Sequence, residues 1–447
     1  MSEIIRTLAL EWSRRKLPAM VSRDLDLSGY VDTRPAKVIA VSGFRRVGKT
    51  YALLLLARRL LETRSREEVV YLNFEDERIP LATETLSGLL PALTQAHARP
   101  VRYLLLDEIQ AVPEWSRWVR RVHDTEDVRL FISGSSSKMS AAEIPTELRG
   151  RFLLVKVFPL SFSEFLRFRD LAIDLKAVSH LADEKARLLR ALDEYLRWGG
   201  LPEIALADHD RKLEIAQSYY QTIVRRDIVE RNRIRNDEAM KALLRLLTNS
   251  VAYTVTKLHN TLRSLNYAVG KTTLQRYLSY VEESYFMFSL TAFAPSVKDR
   301  LQHPRKAYFI DNVFISSLST RFSHSTGRLY ENLVAVELLR RAAARPETEL
   351  HYWKNPLHEE VDFVCRNGAR VEQLIQVCSD LTDPDTRKRE LRALFKAGRE
   401  LKCRRLLVIT EDYDAVEKVR GYKVVFTPLW KWLLAGASLT VASRPPR

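Results

Sequence analysis

The first 160 residues of the sequence predict an α/β fold built on a parallel sheet. Three apolar runs indicate buried strands of the kind that parallel sheets contain: KVIAVS, VRYLLLDEIQ and the start of VRLFISGSSSKMS. The stretch YALLLLARRLLE, which follows the first run after a loop, is a good helix former. That loop, GFRRVGKT at residues 43–50, starts with glycine and ends with lysine and threonine. Strand, loop and helix therefore follow one another in the order of a phosphate-binding unit.

The loop GFRRVGKT matches the pattern G-x-x-x-x-G-K-[ST]. Gly43 and Gly48 allow backbone N–H groups to point toward one anion at a helix N-terminus. The Lys49 ammonium group then reaches the β- and γ-phosphates, and the Thr50 hydroxyl ligates Mg²⁺. The sequence thus predicts an α/β P-loop NTPase that takes a nucleoside triphosphate and Mg²⁺. The predicted nucleotide contacts are Gly43, Phe44, Arg45, Arg46, Val47, Gly48, Lys49, Thr50 and Tyr51.

Two acids and a serine-rich loop complete the predicted site. Asp107 and Glu108 end a hydrophobic strand, and in such folds the Asp holds the magnesium shell while the Glu polarises the attacking water. These acids therefore indicate hydrolysis rather than binding alone. Ser133 and Ser135 follow the next strand, where either one can act as a sensor of the γ-phosphate or the water. An ordinary serine-rich turn explains the same residues equally well.

Arginines in two places invite different interpretations. The exterior position of Arg45 and Arg46 fits contact with phosphate, with a neighbouring subunit or with water alone. Arg151, with Arg149 as the substitute, lies in LRGRF, where an arginine reaches a neighbouring active site if the chain forms a ring. A surface arginine with no phosphate contact is the alternative.

With these motifs in place, the N-terminal half resembles AAA+-type P-loop ATPases. The closer resemblance is to a prokaryotic, largely archaeal branch related to the STAND-like signalling ATPases. The stretches that carry the resemblance are GFRRVGKT, YLLLDEIQAVPEW, ISGSSS, LRGRF, FPLSFSEFL and YLRWGGLPEIAL. The resemblance implies ATP as the nucleotide and places Pro202 near its adenine, with Gly200 permitting a tight backbone. A helix-terminating turn also explains GGLP.

The rest of the chain is expected to form three further domains after the ATPase core of residues 1–160. Residues 161–238 predict a helical lid, because their apolar positions recur at helical spacing. Residues 239–300 predict a winged helix with VGKTTLQRYLSYV as its recognition helix. In AAA+ relatives such a domain binds DNA or serves as a regulatory lid, and the sequence leaves both open.

Residues 301–447 resemble the restriction-endonuclease-like α/β fold found in a C-terminal domain of unknown function that accompanies these ATPases. Glu331 and Asp362 match its helical Glu and its metal-binding Asp. The third motif departs from the pattern, because Gln376 stands where an acid is expected and Cys378 where a lysine is expected. A migrated lysine could restore activity, but none is evident nearby in the sequence. We therefore expect a catalytically degraded nuclease fold, used for binding or docking.

The charge balance fits either an anionic partner, nucleic acid before acidic lipid, or a basic surface that contacts only water. Lys and Arg total 72 against 56 Asp and Glu, a formal net charge of +16. DNA is the first candidate, and the leading hypothesis couples nucleotide state to DNA binding or remodelling. The alternatives are a STAND-like switch that docks a protein partner and, less favoured, an ATP-dependent nuclease. The position of Arg151 is compatible with a homo-oligomer. No membrane span is expected. The three cysteines, all in the last quarter of the chain, fit buried thiols in the cytoplasm.

Overall fold

The computed structural model describes residues 2–134, 148–294, 296, 299–300, 303–318 and 326–435. The chain divides into two units, the first running to Phe158 and the second beginning at Pro159. The finer domain boundaries at residues 238 and 300 stay predictions.

The first unit contains a five-stranded sheet in which every pairing is parallel. The strands, in the spatial order β2-β3-β4-β1-β5, are β1 (Val38–Gly43), β2 (Val69–Asn73), β3 (Tyr103–Asp107), β4 (Arg129–Ser133) and β5 (Phe152–Val157). The three apolar runs that predicted strands are β1, β3 and β4. Because all five strands are parallel, their carboxyl ends share one edge. That edge holds the loop after β1 and the ends of β3 and β4.

Helices cover this sheet with amphipathic faces. They are α1 (Ser2–Arg14), α2 (Lys49–Leu60), α3 (Thr83–Ser87), α4 (Leu89–Ala96) and α5 (Trp115–Thr125), with 3₁₀ turns at Leu27–Tyr30 and Ile109–Ala111. Helix α5 buries Trp115, Trp118 and Val119 while its arginines stay at the surface. Such spacing buries one apolar stripe in the core and leaves the charged face in water.

The second unit opens with a helical region. Its helices are α6 (Phe162–Phe168), α7 (Ala182–Trp198), α8 (Pro202–Leu206), α9 (Lys212–Thr222) and α10 (Asp237–Thr248), with a 3₁₀ turn at Ala177–Ser179 and a π-helix at Ile223–Glu230. Ser161 starts α6 through a capping box, because its side chain accepts from the N–H of Glu164 and Glu164 accepts in return.

Two helices and a small antiparallel sheet follow. They are α11 (Val255–Ser264), α12 (Lys271–Glu283), β6 (Ala252–Tyr253), β7 (Met287–Leu290) and β8 (Arg305–Phe309). Strand β8 is the central one, since it pairs with β6 on one side and β7 on the other. The sheet is thus completed by a strand from beyond residue 300.

A six-stranded mixed sheet forms the C-terminal part. In the spatial order β13-β14-β12-β11-β10-β9 its strands are β9 (Thr348–Lys354), β10 (Glu360–Asn367), β11 (Arg370–Val377), β12 (Leu406–Thr410), β13 (Ala415–Val419) and β14 (Tyr422–Pro428). The helices of this part are α13 (Asn312–Leu318), α14 (Thr326–Ala343), α15 (Pro384–Glu400) and α16 (Leu429–Ala435). The parallel sheet, helical region and mixed α/β domain confirm the predicted fold class. In the part of the chain that the structure describes, no helix has the length and apolar character needed to cross a bilayer.

Candidate functional site

The loop between β1 and α2 packs directly against the last strand of the sheet. A Cβ atom on Gly43 would lie 2.3 Å from the carbonyl oxygen of Val157, so only glycine fits there. At the other end Gly48 adopts φ +96° and caps α2. Between them Phe44 and Val47 are buried. The loop backbone therefore bends around one point in front of the helix N-terminus, where N–H groups and the helix dipole favour an anion.

Lys49 is the cation of this loop. Its side chain is buried, and its ammonium group donates to the carbonyl oxygens of Gly43 and Phe44, each 3.2 Å away. The ammonium group is thereby held over the concave side of the loop. Thr50 is half-buried, and half of the surface of Tyr51 is exposed.

Arg23 is a loop-supporting residue that sequence reasoning missed. One terminal nitrogen of its guanidinium group donates to the carbonyl of Val47, and the other donates to the carbonyl of Phe158, both at 2.9 Å. The side chain thereby fastens the loop to the end of the last strand. No motif marks Arg23, since it lies 20 residues before the loop.

Asp107 ends β3 beside the loop and is fully buried. Its carboxylate accepts hydrogen bonds from the Ser133 hydroxyl and, at 2.9 Å, from the Tyr71 hydroxyl. Burial raises the pKa of Tyr71, and the charge of Asp107 adds to this effect, so the phenol stays protonated and keeps donating. Sequence reasoning missed Tyr71, which ends up beside Asp107 because β2 and β3 are neighbours.

Glu108 follows Asp107 in the left-handed conformation, at φ +53°. Its N–H donates to the Ser133 hydroxyl oxygen over 3.2 Å, and its carboxylate accepts from the Gln110 amide. Burial raises the pKa of Glu108, while the nearby charge of Lys49 opposes that shift. A half-buried carboxyl with a raised pKa beside a phosphate loop has the properties of a base that polarises water.

The donor set at this edge fits Mg²⁺. Asp107 and Thr50 offer hard oxygen atoms, and Mg²⁺ in nucleotide sites binds through one or two such groups together with phosphates and water. Over the described ranges, no group of three or more His, Cys, Asp and Glu side chains is arranged to hold a metal by itself. The edge therefore suits an ion that arrives with its nucleotide.

The predicted sensor Ser133 and the predicted arginine finger Arg151 lie at opposite edges of the parallel sheet. Ser133 bridges Asp107 and the Glu108 backbone, whereas Ser135 lies outside the described residues. Arg151 precedes β5, at the amino edge of the sheet, opposite the loop. There it donates to Asp124 at 2.9 Å and helps hold the pKa of that carboxyl at about 2. Arg151 therefore belongs to the far edge of its own sheet, and Arg149 is exposed.

Pro202 lies in the second unit, as the first residue of α8. Gly199 ends α7 with φ +72°, and the Gly200 N–H donates to the buried carboxylate of Asp311 over 2.7 Å. GGLP thus forms the helix-terminating turn that the sequence also allowed. The contact between Pro202 and adenine stays a prediction.

The structure brings together three of the four residues of the predicted degenerate nuclease site and leaves the fourth, Cys378, out of the group. The structure brings Glu331 and Asp362 together around the Lys306 ammonium group, at 2.8 and 2.9 Å. Gln376 joins them, since its side-chain oxygen accepts from the Asp362 N–H. Cys378 is buried and donates instead to the Asp380 carbonyl. The expectation that no lysine is close by is wrong, because Lys306 comes from β8, 56 residues before Asp362.

Comparison with known families is consistent with this geometry. Residues 35–166 match the model of an AAA domain. Residues 189–325 and 326–432 match two domains of unknown function, DUF8612 and DUF4143. The first match covers the phosphate loop and both acids, and the fold and the site together define a P-loop protein with an AAA domain.

Relatives extend the similarity to nearly the whole chain. An uncharacterized protein, MJ1544, of Methanocaldococcus jannaschii is 36% identical over 94% of this chain and 92% of its own length. An uncharacterized protein of Haemophilus influenzae is 26% identical over 92% of this chain and 98% of its own. The chain therefore belongs to the same family of AAA-domain P-loop ATPase-like proteins as MJ1544. The Walker-type ATPase PABY2304 of Pyrococcus abyssi covers 64% of this chain and 91% of its own, at 15% identity and a TM-score of 0.40, too low to support an argument.

Proposed function

We propose that the first unit binds and hydrolyses ATP at the loop that begins with Gly43. One observation carries this proposal. The carboxyl group of Asp107 and the backbone of Glu108 are joined through the hydroxyl of Ser133 at one edge of the parallel sheet, where the charge of Lys49 acts on the Glu108 carboxyl group. A cation for phosphates, an acid for a metal shell and a base for water are the groups that phosphoryl transfer to water requires.

Each side chain has a separate part in this proposal. Lys49 exchanges its two carbonyl partners for phosphate oxygens and neutralises charge as the terminal phosphate leaves. Asp107 and Thr50 hold Mg²⁺, which stabilises negative charge on the phosphates when it is bound. Glu108, with its raised pKa, polarises the attacking water. Ser133 positions both acids, since it contacts the side chain of one and the N–H of the other.

We further propose that DNA is the partner to which nucleotide state is coupled, through α12. One face of this helix packs inward through Leu274, Tyr277, Leu278 and Val281. The opposite face is exposed and carries Lys271, Thr272, Gln275, Arg276 and Ser279. Basic and hydroxyl side chains on one exposed stripe are the chemistry that contacts phosphates and base edges in a groove. The net charge of +16 supports the same partner.

Arg151 is proposed to act as an arginine finger between two copies of the chain. Because Arg151 lies at the amino edge of its own sheet, we propose that it acts only on a second copy of the chain. ATP hydrolysis per chain then rises with protein concentration as copies associate, and Arg151→Ala abolishes that rise. A rate per chain that is independent of concentration would remove Arg151 from the proposal.

The experiment measures ATP hydrolysis with and without duplex DNA over a range of salt concentrations. We expect DNA to stimulate hydrolysis at low salt and the stimulation to fall steeply as salt rises. Lys271→Ala/Arg276→Ala should abolish the stimulation while leaving the rate without DNA unchanged. The matched control is Lys388→Ala/Arg399→Ala, which removes the same charge from exposed positions on α15.

Three outcomes separate the hypotheses. Loss of stimulation only in the α12 variant supports DNA coupling through this helix. A rate of hydrolysis that is the same with and without DNA at every salt concentration contradicts DNA coupling and favours a switch that docks a protein partner. Equal loss of stimulation in both double variants shows that stimulation by DNA depends on the net charge of the chain rather than on α12.

A further inference from the structure

Lys306 sits in the middle of the carboxylate cluster that resembles a nuclease site. It is 2% exposed and lies on β8, the central strand of the three-stranded sheet, between the partner residues Ala252 and Leu290. A lysine in the middle of a sheet that packs inward needs partners for its charge, since an unpaired buried ammonium group is strongly disfavoured. Its partners are three carboxylates from two other elements.

The contacts of this ammonium group resemble those of a bound cation. Glu331 on α14 accepts at 2.8 Å, Asp362 on β10 at 2.9 Å and Glu360 on the same strand at 2.7 Å. The ring of Tyr352 lies 5.6 Å from the nitrogen. Burial lowers the pKa of Lys306, but the three carboxylates outweigh burial and hold it well above its ordinary value, so the charge is permanent near neutral pH.

Protein donors also hold the oxygen atoms of the cluster in place, and each carboxylate keeps further lone pairs that the Lys306 ammonium group denies to a metal. The Tyr308 hydroxyl donates to the same Glu331 oxygen that Lys306 contacts. The Val377 N–H donates to the second oxygen of Asp362, and Lys354 donates to the second oxygen of Glu360. A divalent ion in a nuclease-like site requires these same oxygen atoms as ligands.

Gln376 is engaged in the same way. Its oxygen accepts from the Asp362 N–H over 3.2 Å, and its nitrogen donates to Glu390 on α15 over 2.7 Å. The two oxygen atoms of Glu390 are thereby engaged, one by this amide and the other by the Arg389 guanidinium group. The Mg²⁺ that the nuclease-like fold implies therefore does not fit the residues present.

We infer that Lys306 is a built-in replacement for the divalent cation of this nuclease-like site, so that the C-terminal domain holds together and functions without a metal and does not cut DNA. The ammonium group joins α14 to β10 as a metal would, but it activates no water and binds no scissile phosphate. The inference is independent of ATP hydrolysis in the first unit, because all the residues involved lie in the second.

The test measures Mn²⁺ binding to the nucleotide-free full chain by electron paramagnetic resonance. Lys306→Met keeps the apolar stem and removes the charge. We expect this variant to bind one more Mn²⁺ per chain than the wild type and to melt at a higher temperature when Mn²⁺ is added. Lys306→Met/Asp362→Asn should lose the extra ion, which locates it. Lys212→Met, the matched control, removes another buried ammonium group, whose partner Glu194 lies outside the cluster, and should bind Mn²⁺ as the wild type does.

Two results would overturn the inference. One is a folded Lys306→Met protein that binds no additional ion. The other needs only the wild type and Asp362→Asn, so it stands even if Lys306→Met does not fold. If Asp362→Asn removes a bound Mn²⁺ or a Mn²⁺-dependent nicking of DNA from the wild type, the native carboxylates hold a metal. Equal Mn²⁺ binding by wild type and Asp362→Asn, without nicking, supports the inference.

Discussion

At the scale of single residues, the two candidate sites use buried charge in opposite ways. Lys49 is held by two carbonyl oxygens, which are neutral partners that it can exchange for phosphate. Lys306 is held by three carboxylates, and removal of its ammonium group would leave these buried carboxylates without their counter-charge. The first arrangement suits a ligand that comes and goes, whereas the second suits a permanent link.

Asp311 provides a residue-scale prediction from its pH dependence. Its buried carboxylate accepts from the N–H groups of Gly200 and Val313, and burial raises its pKa to about 7. The folded chain therefore binds a proton more tightly than the unfolded chain does. The resulting stability is complete at low pH and is lost as pH rises toward and through about 7.

We expect the stability of the wild type relative to Asp311→Asn to fall by about 2 kcal/mol as pH rises from about 5.5 to about 7.5. Asparagine does not titrate, and burial raises the pKa of Asp362 to about 7 in both proteins alike, so the difference isolates Asp311. Urea unfolding at several pH values measures it. Exposed Asp210→Asn serves as the control and should show no such trend. A constant difference between wild type and Asp311→Asn would contradict the prediction.

The residues that the sequence did not reveal share one property. Arg23, Tyr71 and Lys306 each lie far along the chain from the group that they support, and none belongs to a short motif. Strand order brings Tyr71 to Asp107, and contact between strands of two different sheets brings Lys306 to Asp362. In contrast, Lys49 and Glu108 were predictable, because a local loop and a strand end fix their positions.

At the scale of elements, the turn between α7 and α8 depends on close approach. A Cβ atom on Gly199 would lie 1.5 Å from an oxygen of Asp311, and the residue has φ +72°. Glycine is therefore required both for its backbone angle and for the space beside it. The turn and the carboxylate that caps it form one unit, although they are separated by more than 100 residues.

Gly199→Ala should lower the free energy of unfolding by about 3 kcal/mol or more, since it adds a steric clash to an unfavourable backbone angle. The control is Gly29→Ala, because a Cβ atom at that exposed position would meet nothing within 4 Å. We expect that variant to unfold within about 1 kcal/mol of the wild type. Chemical denaturation measures both. Similar stability of the two variants would show that Asp311 moves aside at little cost.

Strands with a continuous apolar run were predictable, and the pairing of strands was less so. The parallel sheet followed from β1, β3 and β4, because runs buried on both faces have few other places in a fold. Strands β13 and β14 were not predicted, since β13 alternates half-buried and exposed residues and carries charge. The position of β8 was also missed, because a segment boundary placed at residue 300 separated it from β7.

At the scale of the whole molecule, the two units each contain a buried lysine with a different environment. In the first unit Lys49 has neutral carbonyl partners, and in the second Lys306 has three carboxylate partners. The AAA domain contains the loop, the acids and the serine that contacts both. The second unit contains the cluster in which Glu331, Glu360 and Asp362 hold the Lys306 ammonium group. The family match and the local geometry agree on the first unit, and the proposed DNA coupling is an inference from Lys271 and Arg276 on the exposed face of α12 and from the net charge of the chain.

The central claim is that Glu108 and Lys49 belong to one site that captures and splits ATP. The most direct test is phosphate release from ATP by Glu108→Gln, measured beside the wild type together with ATP affinity. We predict unchanged affinity and a fall in turnover of at least about 100-fold, because the amide no longer polarises water. Exposed Glu77→Gln should match the wild type, and Lys49→Ala should lose affinity. Turnover by Glu108→Gln at the wild-type rate would contradict the account.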